Sequence, residues 1–379
     1  MKKELIRISR DIRTPIYNGD VKNSSYLLYF EEANLDGVPY SMPFIILPTR
    51  PCSWLRESGG CFECGYSNLS NKDAGDRQIL SLLDECLKSL EDIPHQMVAI
   101  GTSGSFLDIR ELSKDAQNEI LRKVSLLPEI RIIGIESRPE FVTSDRLREI
   151  SEIVYPKRIM LGMGLESSND LIRDFCINKG LRTKDFIKAR DIAKRYDNIS
   201  ALAYVLLGKP FLPKVIDMMD SITSISFAVE AGFDRVVLMA TSLRQNTLAN
   251  LLYKIGEYNP ATPRVVIEVL KGLKPEIRNK VIIANPRVPK PIPADQCPVC
   301  SELLEQLITM YKYSSNYSYL ALSDKMNFDC QCIEKRGVIL PTSQMPPLEE
   351  LILDSYERVL SKIGGKNGQC FSKSGAILR

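Results

Sequence analysis

Cys52, Cys61 and Cys64 fall within thirteen residues in the stretch PCSWLRESGGCFECGYSNLS (51–70). Thiols at that density close a disulfide, supply corners of a tetrahedral zinc site, or hold an iron–sulfur cluster. A closed zinc site needs a fourth ligand. The nearest thiol, Cys86, sits inside a predicted helix, and the single histidine, His95, lies a further turn away beside Pro94, where a loop or surface role suits it better. A [4Fe-4S] cluster is complete with three protein thiolates, which leave one iron open to a further ligand. The open-iron reading therefore leads, with the zinc and disulfide readings still standing.

A second group lies far downstream. Cys297-x-x-Cys300 and Cys330-x-Cys332 are two close pairs about thirty residues apart, the layout in which two knuckles clamp one zinc. Four thiolates close such a site, so its role would be structural; the plainer alternative is four reduced cysteines in a small core. One histidine in the chain excludes multi-histidine metal sites and histidine-based acid–base chemistry. Ten cysteines without a secretory signal favour metal ligation or reduced thiols over a disulfide framework. No stretch approaches the length needed to span a bilayer, so a cytoplasmic protein without a membrane partner is expected.

Elements that position these groups can be read from hydrophobic periodicity. PFIILP (43–48) reads as a short buried strand and 73–93 as an amphipathic helix with Leu80, Leu83, Leu87 and Leu90 on one face. Strands follow in QMVAIGTSGSF, at 130–137, 158–167, 200–208 and 234–240. Between them lie helices at 112–127, at 143–154 with Thr143 or Ser144 as N-cap, at 167–196 with a break near Gly180, and at 212–232. Six β-then-α units predict parallel strands joined by right-handed crossovers, either an open doubly wound sheet or a partial barrel. In both, chemistry gathers at the C-terminal edge of the strands. That edge carries Thr102, Ser103, Gly104 and Ser105, then Glu136 and Arg138, then Glu166, then Lys209. The alternation lapses after about residue 260, and a Pro-rich basic connector leads to the second cysteine group. The expected organisation is an N-terminal extension (1–42), a barrel (43–260) and a C-terminal module with a basic tail (261–379).

Net charge is only +3, but it is unevenly spread. Lys271, Lys274, Arg278, Lys280, Arg287 and Lys290 crowd one segment, and Lys362, Lys366, Lys373 and Arg379 mark the tail. Such segments suit a polyanion, or form an ordinary solvated lysine-rich surface.

With the six-fold β/α alternation, the cysteine loop resembles the radical S-adenosylmethionine (SAM) superfamily. Its spacing, Cys-x8-Cys-x2-Cys, departs from the common CxxxCxxC and is similar to the widened loop of the Elongator catalytic subunit, as is ESRPEFV. Together with TSGSFLD, GLESSND and the late CPVC and CQC, these motifs resemble the archaeal radical SAM family of archaeosine biosynthesis, over nearly the whole chain. The resemblance implies a partial (β/α)6 TIM-like barrel of the radical SAM type, with Cys52, Cys61 and Cys64 on a [4Fe-4S] cluster and zinc in the small C-terminal four-Cys module. Thr102, Ser103 and Gly104 would face the SAM amine, although an ordinary βα turn explains them too. Glu136 and Arg138 would hold the ribose or amine and the carboxylate of SAM, or else form an ion pair bracing the rim. Glu166 would touch SAM or substrate, Tyr66 would cover the adenine or the cluster, and Lys209 would meet a substrate phosphate or carboxylate. Trp54 would pack the loop.

The activity implied is a lyase in tRNA modification. Reduced cluster and SAM give a 5′-deoxyadenosyl radical, and the radical takes hydrogen from the lysine adduct of 7-cyano-7-deazaguanine in the tRNA D-loop. Cleavage of a C–N bond leaves archaeosine. The partners implied are tRNA, the lysine-transferring archaeosine synthase subunit and an electron donor. Alternatives are another radical SAM enzyme modifying a tRNA base, or a non-catalytic zinc-containing tRNA-binding protein.

Overall fold

A computed structural model describes residues 1–18, 25–35, 38–90, 96–284, 298–325 and 345–365. Its centre is one eight-stranded sheet in sequential order: β1 (Leu27–Leu35), β2 (Val38–Leu47), β3 (Met97–Thr102), β4 (Ile132–Glu136), β5 (Arg158–Glu166), β6 (Ile199–Leu207), β7 (Arg235–Ala240) and β8 (Val281–Ile283). β1 and β2 form an antiparallel hairpin, and every later neighbour is parallel. The sheet curls until β1 and β8 approach each other without pairing, which makes a half-barrel of the expected α/β class.

Strand register explains what each face does. Alternate side chains of a strand point to opposite faces. Ile45, Val98, Ile100, Ile133, Ile135, Ile159, Leu161, Ala201, Ala203 and Val236 share one parity, are all buried, and form the layer beneath the helices. Residues of the other parity are mixed: Phe44 pairs with Ala99, Ala99 with Gly134, Glu136 with Gly162, and Gly164 with Tyr204. That face lines the inside of the curl.

Helix starts follow the side-chain caps that the sequence offers. Ser113, Thr143, Thr247 and Thr262 each accept a hydrogen bond from the backbone N–H three residues on. The helix expected at 73–93 runs Asp76–Lys88 and buries Ile79, Leu83 and Cys86. The long segment at 167–196 does break. Asp170–Ile172 passes into a π turn, Arg173–Ile177, which ends at Asn178 and Gly180 in left-handed conformation before the helix Thr183–Ala193.

Several elements escaped the periodicity. β1 carries Glu31 and Glu32 and sits at an edge, so it lacks the apolar run of a buried strand. The helix Lys2–Ile12 sets Leu5, Ile8 and Ile12 into a second core cluster, which the helix Leu348–Gly365 joins through Ile352, Tyr356 and Val359. β8 carries the sheet past residue 260, where the sequence pattern lapses. The helices Pro298–Ser314 and Ser318–Lys325 pack against the sheet and its helices. Leu304, Leu307, Ile308, Tyr311 and Leu320 belong to the main core, and the first helix lies against β1, β2 and the helix Pro263–Gly272.

Two of the basic residues expected to face a polyanion are engaged internally. Arg278 is buried, donates to the carbonyls of Leu270 and Leu273, and lies 4.2 Å from the Tyr317 ring centroid. Lys271 pairs with Asp324 at 2.7 Å. Arg287, Lys290, Lys366, Lys373, Arg379 and His95 lie outside the described residues. No helix among the described residues is long and apolar enough to cross a membrane.

Ile308→Ala should lower stability by about 2–5 kcal/mol, and urea unfolding should remain one cooperative transition. A separate early transition for the C-terminal helices would contradict their membership of the main core.

Candidate iron–sulfur site at the C-terminal edge of the sheet

The three thiols lie on the connection that leaves β2 at the C-terminal edge. Cys52 caps the short helix Ser53–Ser58, and Gly59 and Gly60 then turn the chain in left-handed conformation toward Cys61 and Cys64. The loop is held through its backbone. Arg13, 1% exposed, donates to the carbonyl oxygens of Gly59 (2.6 Å), Cys61 (2.7 Å), Cys64 (3.0 Å) and Asn246 (3.0 Å). Asn178 Nδ2 donates to the carbonyls of Gly60 (2.9 Å) and Ser58 (3.2 Å). Phe62 donates its N–H to Ile177 O and accepts from Ala249 N. Trp54, on the helix between Cys52 and Cys61, donates from Nε1 to Asn178 O at 2.7 Å, a packing role of the kind its position suggests.

A second clamp holds the start of the loop. One Glu111 carboxylate accepts from Ser53 N (2.8 Å) and Ser105 N (2.7 Å), which ties the residue after Cys52 to the turn after β3. That explains Gly104 differently from the sequence reading. A Cβ there would stand 2.1 Å from Glu111 Oε2 and 2.9 Å from Cys52 Cα, so the glycine makes room for this clamp.

Burial dominates the electrostatics. It pushes the thiols of Cys52, Cys61 and Cys64 up to about 12, so the metal-free loop carries neutral thiols. Cations act the other way, with Arg138 near Cys52, Lys179 and Arg138 near Cys61, and Arg13 near Cys64. Each thiol also feels one of the other two, so the three are close neighbours. All six described cysteines are free thiols, which removes the disulfide reading for this loop. Among the described residues no three ligating side chains converge on a single metal ion.

Around the loop, the polar rim gathers with unfilled valences. Glu166 adopts a left-handed conformation (φ 61°) at a register shift in β5 and pairs with Lys179 at 2.9 Å, while its Oε2 is buried and without a partner among the described residues. Ser103 Oγ and Glu63 Oε2 are orphaned in the same way. Burial, with Glu166 next, pushes the Glu63 carboxyl up to about 8. Glu136 faces the inside of the curl and accepts a hydrogen bond from Tyr204; burial raises its carboxyl to about 7. Thr102 is buried, and its Oγ1 accepts from Gly104 N at 3.4 Å. Tyr66 is hydrogen-bonded to Tyr29, whose ring stacks on Phe44.

Not all of the expected residues meet. Glu136 and Arg138 do not pair with each other. Arg138 donates to Glu140 (2.6 Å) and to Lys179 O (3.0 Å), with its guanidinium 4.8 Å from the Trp54 ring centroid. Lys209 is not solvated. It is 1% exposed, and its ammonium is directed at Asp217 (3.0 Å), Asp220 (3.0 Å) and Ser221 (2.9 Å). Of the downstream cysteines, Cys300 is buried at the start of its helix, while Cys297, Cys330 and Cys332 lie outside the described residues. Sequence reasoning missed Glu63, although it stands inside Cys-x-x-Cys. Arg13, Glu111, Asn178 and Lys179 gave no local signal, because each acts on the loop from a distant element.

No family model matches the chain. It is 33% identical over 257 residues to archaeosine synthase subunit beta of Thermococcus kodakarensis, covering 67% of this chain and 79% of that one. It is 29% identical over 310 residues to archaeosine synthase subunit beta of Methanosarcina acetivorans, covering 79% and 85%. An uncharacterized protein of Methanocaldococcus jannaschii is 33% identical over 235 residues, which is 61% of this chain and 64% of that one. In fold the chain is similar to methylornithine synthase, at 17% identity and a TM-score of 0.47 over 74% of this chain and 70% of that one.

Lys209→Met should leave Asp217 and Asp220 buried without their cation and cost about 3–5 kcal/mol in urea unfolding; a loss within error would show that the carboxylates do not need it. Gly104→Ala should cost about 1–3 kcal/mol through displacement of Glu111, and Glu111→Ala in the same background should add little to that loss.

Proposed function

The chain belongs to the archaeosine synthase subunit beta family, and from that membership we propose that it is a radical SAM enzyme of tRNA modification. The observation that carries the reading is the loop of Cys52, Cys61 and Cys64, half-buried, free of disulfides and clamped at the C-terminal edge of a parallel half-barrel. The residues present fit a [4Fe-4S] cluster with SAM. Three soft ligands leave one iron open, and three orphaned polar atoms, Ser103 Oγ, Glu63 Oε2 and Glu166 Oε2, await partners at the same edge. The two carboxylates among them would accept from an ammonium group. When bound, this pair supplies one-electron cleavage of SAM to a 5′-deoxyadenosyl radical.

The chain's own residues bind, orient and exclude water. Cys52, Cys61 and Cys64 would hold the cluster. Ser103, Glu136, Glu166 and Tyr66 would line the space above it. Behind the loop Phe62 is fully buried, with Phe211 and Tyr356 packed edge-on in sequence behind it, which closes that side to solvent. The substrate in this reading is tRNA carrying the lysine adduct of 7-cyano-7-deazaguanine. Hydrogen abstraction from the lysine-derived chain leads to C–N cleavage and archaeosine. The family name supplies the partner, since a beta subunit implies a second subunit, here the one that joins lysine to the base. An electron donor completes the set. Cys297, Cys300, Cys330 and Cys332 would hold zinc.

Anaerobically reconstituted protein should contain about four irons per chain and release 5′-deoxyadenosine when reduced in the presence of SAM, and Cys52→Ala should lose both. Wild-type protein that takes up zinc but no iron would sink the reading. For the product, tRNA nucleosides from a deletion strain should lack archaeosine and accumulate its lysine adduct; unchanged archaeosine would separate this chain from that step.

A further inference from the structure

We propose that Arg13, from the C-terminal end of the helix Lys2–Ile12 and not from the barrel, is the positioning residue of the cysteine loop. The proposal rests on the reading of Cys52, Cys61 and Cys64 as cluster ligands. Arg13 is 1% exposed, and among the described residues its hydrogen bonds go to main-chain carbonyls and not to a carboxylate. Its guanidinium instead fans over four main-chain carbonyls. Two of them belong to Cys61 and Cys64 themselves, one to Gly59 at the turn, and one to Asn246 beyond β7. A planar fork with five donors can serve several acceptors in a fixed arrangement, which a lysine ammonium cannot copy.

The surrounding residues are shaped for this group. Gly60 is left-handed, and a Cβ there would stand 2.4 Å from Arg13 Nη1. Ser9, one turn earlier, donates from Oγ to the same Gly59 carbonyl at 3.1 Å. Arg10 reaches Glu57 O at 2.6 Å. The helix Lys2–Ile12 thus delivers donors at positions 9, 10 and 13 to the loop, while Leu5 and Ile8 anchor it in the second core cluster. Holding the carbonyls of residues 61 and 64 fixes the main chain from which two ligand side chains project. Arg13 also sets a permanent positive charge beside thiolates that become anionic when they bind metal.

The test compares Arg13→Lys and Arg13→Gln with Leu5→Ala, which loosens the same helix without touching the loop. In reconstituted protein the two Arg13 variants should lose iron to an iron(II) chelator about tenfold faster than wild type, with Lys behaving like Gln because the fork is gone. Leu5→Ala, at an equal or larger drop in Tm, should release iron at the wild-type rate. Wild-type rates in Arg13→Lys overturn the proposal, and so does Leu5→Ala losing iron as fast as the Arg13 variants. If Arg13→Gln does not fold, Arg13→Lys alone decides. A second readout uses metal-free protein: iodoacetamide should label Cys61 and Cys64 faster in the Arg13 variants than in wild type, with Cys86 and Cys176 unchanged as internal references. Unchanged labelling also overturns the proposal, whereas wild-type protein that takes up no iron defeats the cluster reading and leaves the labelling comparison to judge Arg13.

Discussion

Backbone carbonyls at positions 58–64 are turned into the protein, and satisfying them governs much of the molecule. An inward-facing carbonyl without a donor costs about 1–3 kcal/mol, and this loop has no helix or sheet of its own to pair it. Donors come instead from the N-terminal helix through Ser9 and Arg13, and from the end of the π turn through Asn178. This accounts for features that look unrelated. The break in the helix after β5 is where Asn178 adopts the left-handed conformation that aims its amide at the loop, a conformation asparagine tolerates better than most residues. The N-terminal helix docks beside the barrel because its arginine must reach the loop. Gly59 and Gly60 let the chain turn under it.

The sheet supplies the complementary half. Its two parities divide labour, with branched apolar residues under the helices and glycine, alanine, Glu136 and Tyr204 on the inside. Small residues there make room for particular neighbours. A Cβ at Gly162 would meet the Tyr204 hydroxyl at 2.5 Å, and one at Gly164 would meet both Glu166 and Lys179. Burial raises the Glu63 and Glu136 carboxyls, and the Glu166 charge beside them adds to it.

Much of this was legible in the chain itself, and the remainder fails for a common reason. All six expected strands appear, because buried parallel strands read as short apolar runs and their helices carry capping residues at the right places. The cysteine loop was legible because thiol spacing is a local signal. β1 was not, since an edge strand with paired glutamates lacks that signature. Lys209 looked like a ligand-facing loop residue, because nothing local says that Asp217 and Asp220, one and two helical turns later, would fold back over it. Arg13 and Glu111 contact the loop from 46 to 58 residues away in sequence, and a pattern confined to a window cannot report such contacts.

The way the loop is held also bears on how a metal cluster would enter it. In small zinc domains the ligands are ordered by the metal, and binding energy is folding energy. Here the clamps grip main-chain carbonyls and the N–H groups next to the ligands, and the thiols themselves are left free. A cluster bound there would meet a main chain already held by other residues. Its ligation would be protonic as well. Each thiol would release a proton, and the thiolates formed would stand near Arg13, Arg138 and Lys179. Order of the backbone and charge of the surroundings are thereby set by different residues, and Arg13 belongs to both sets.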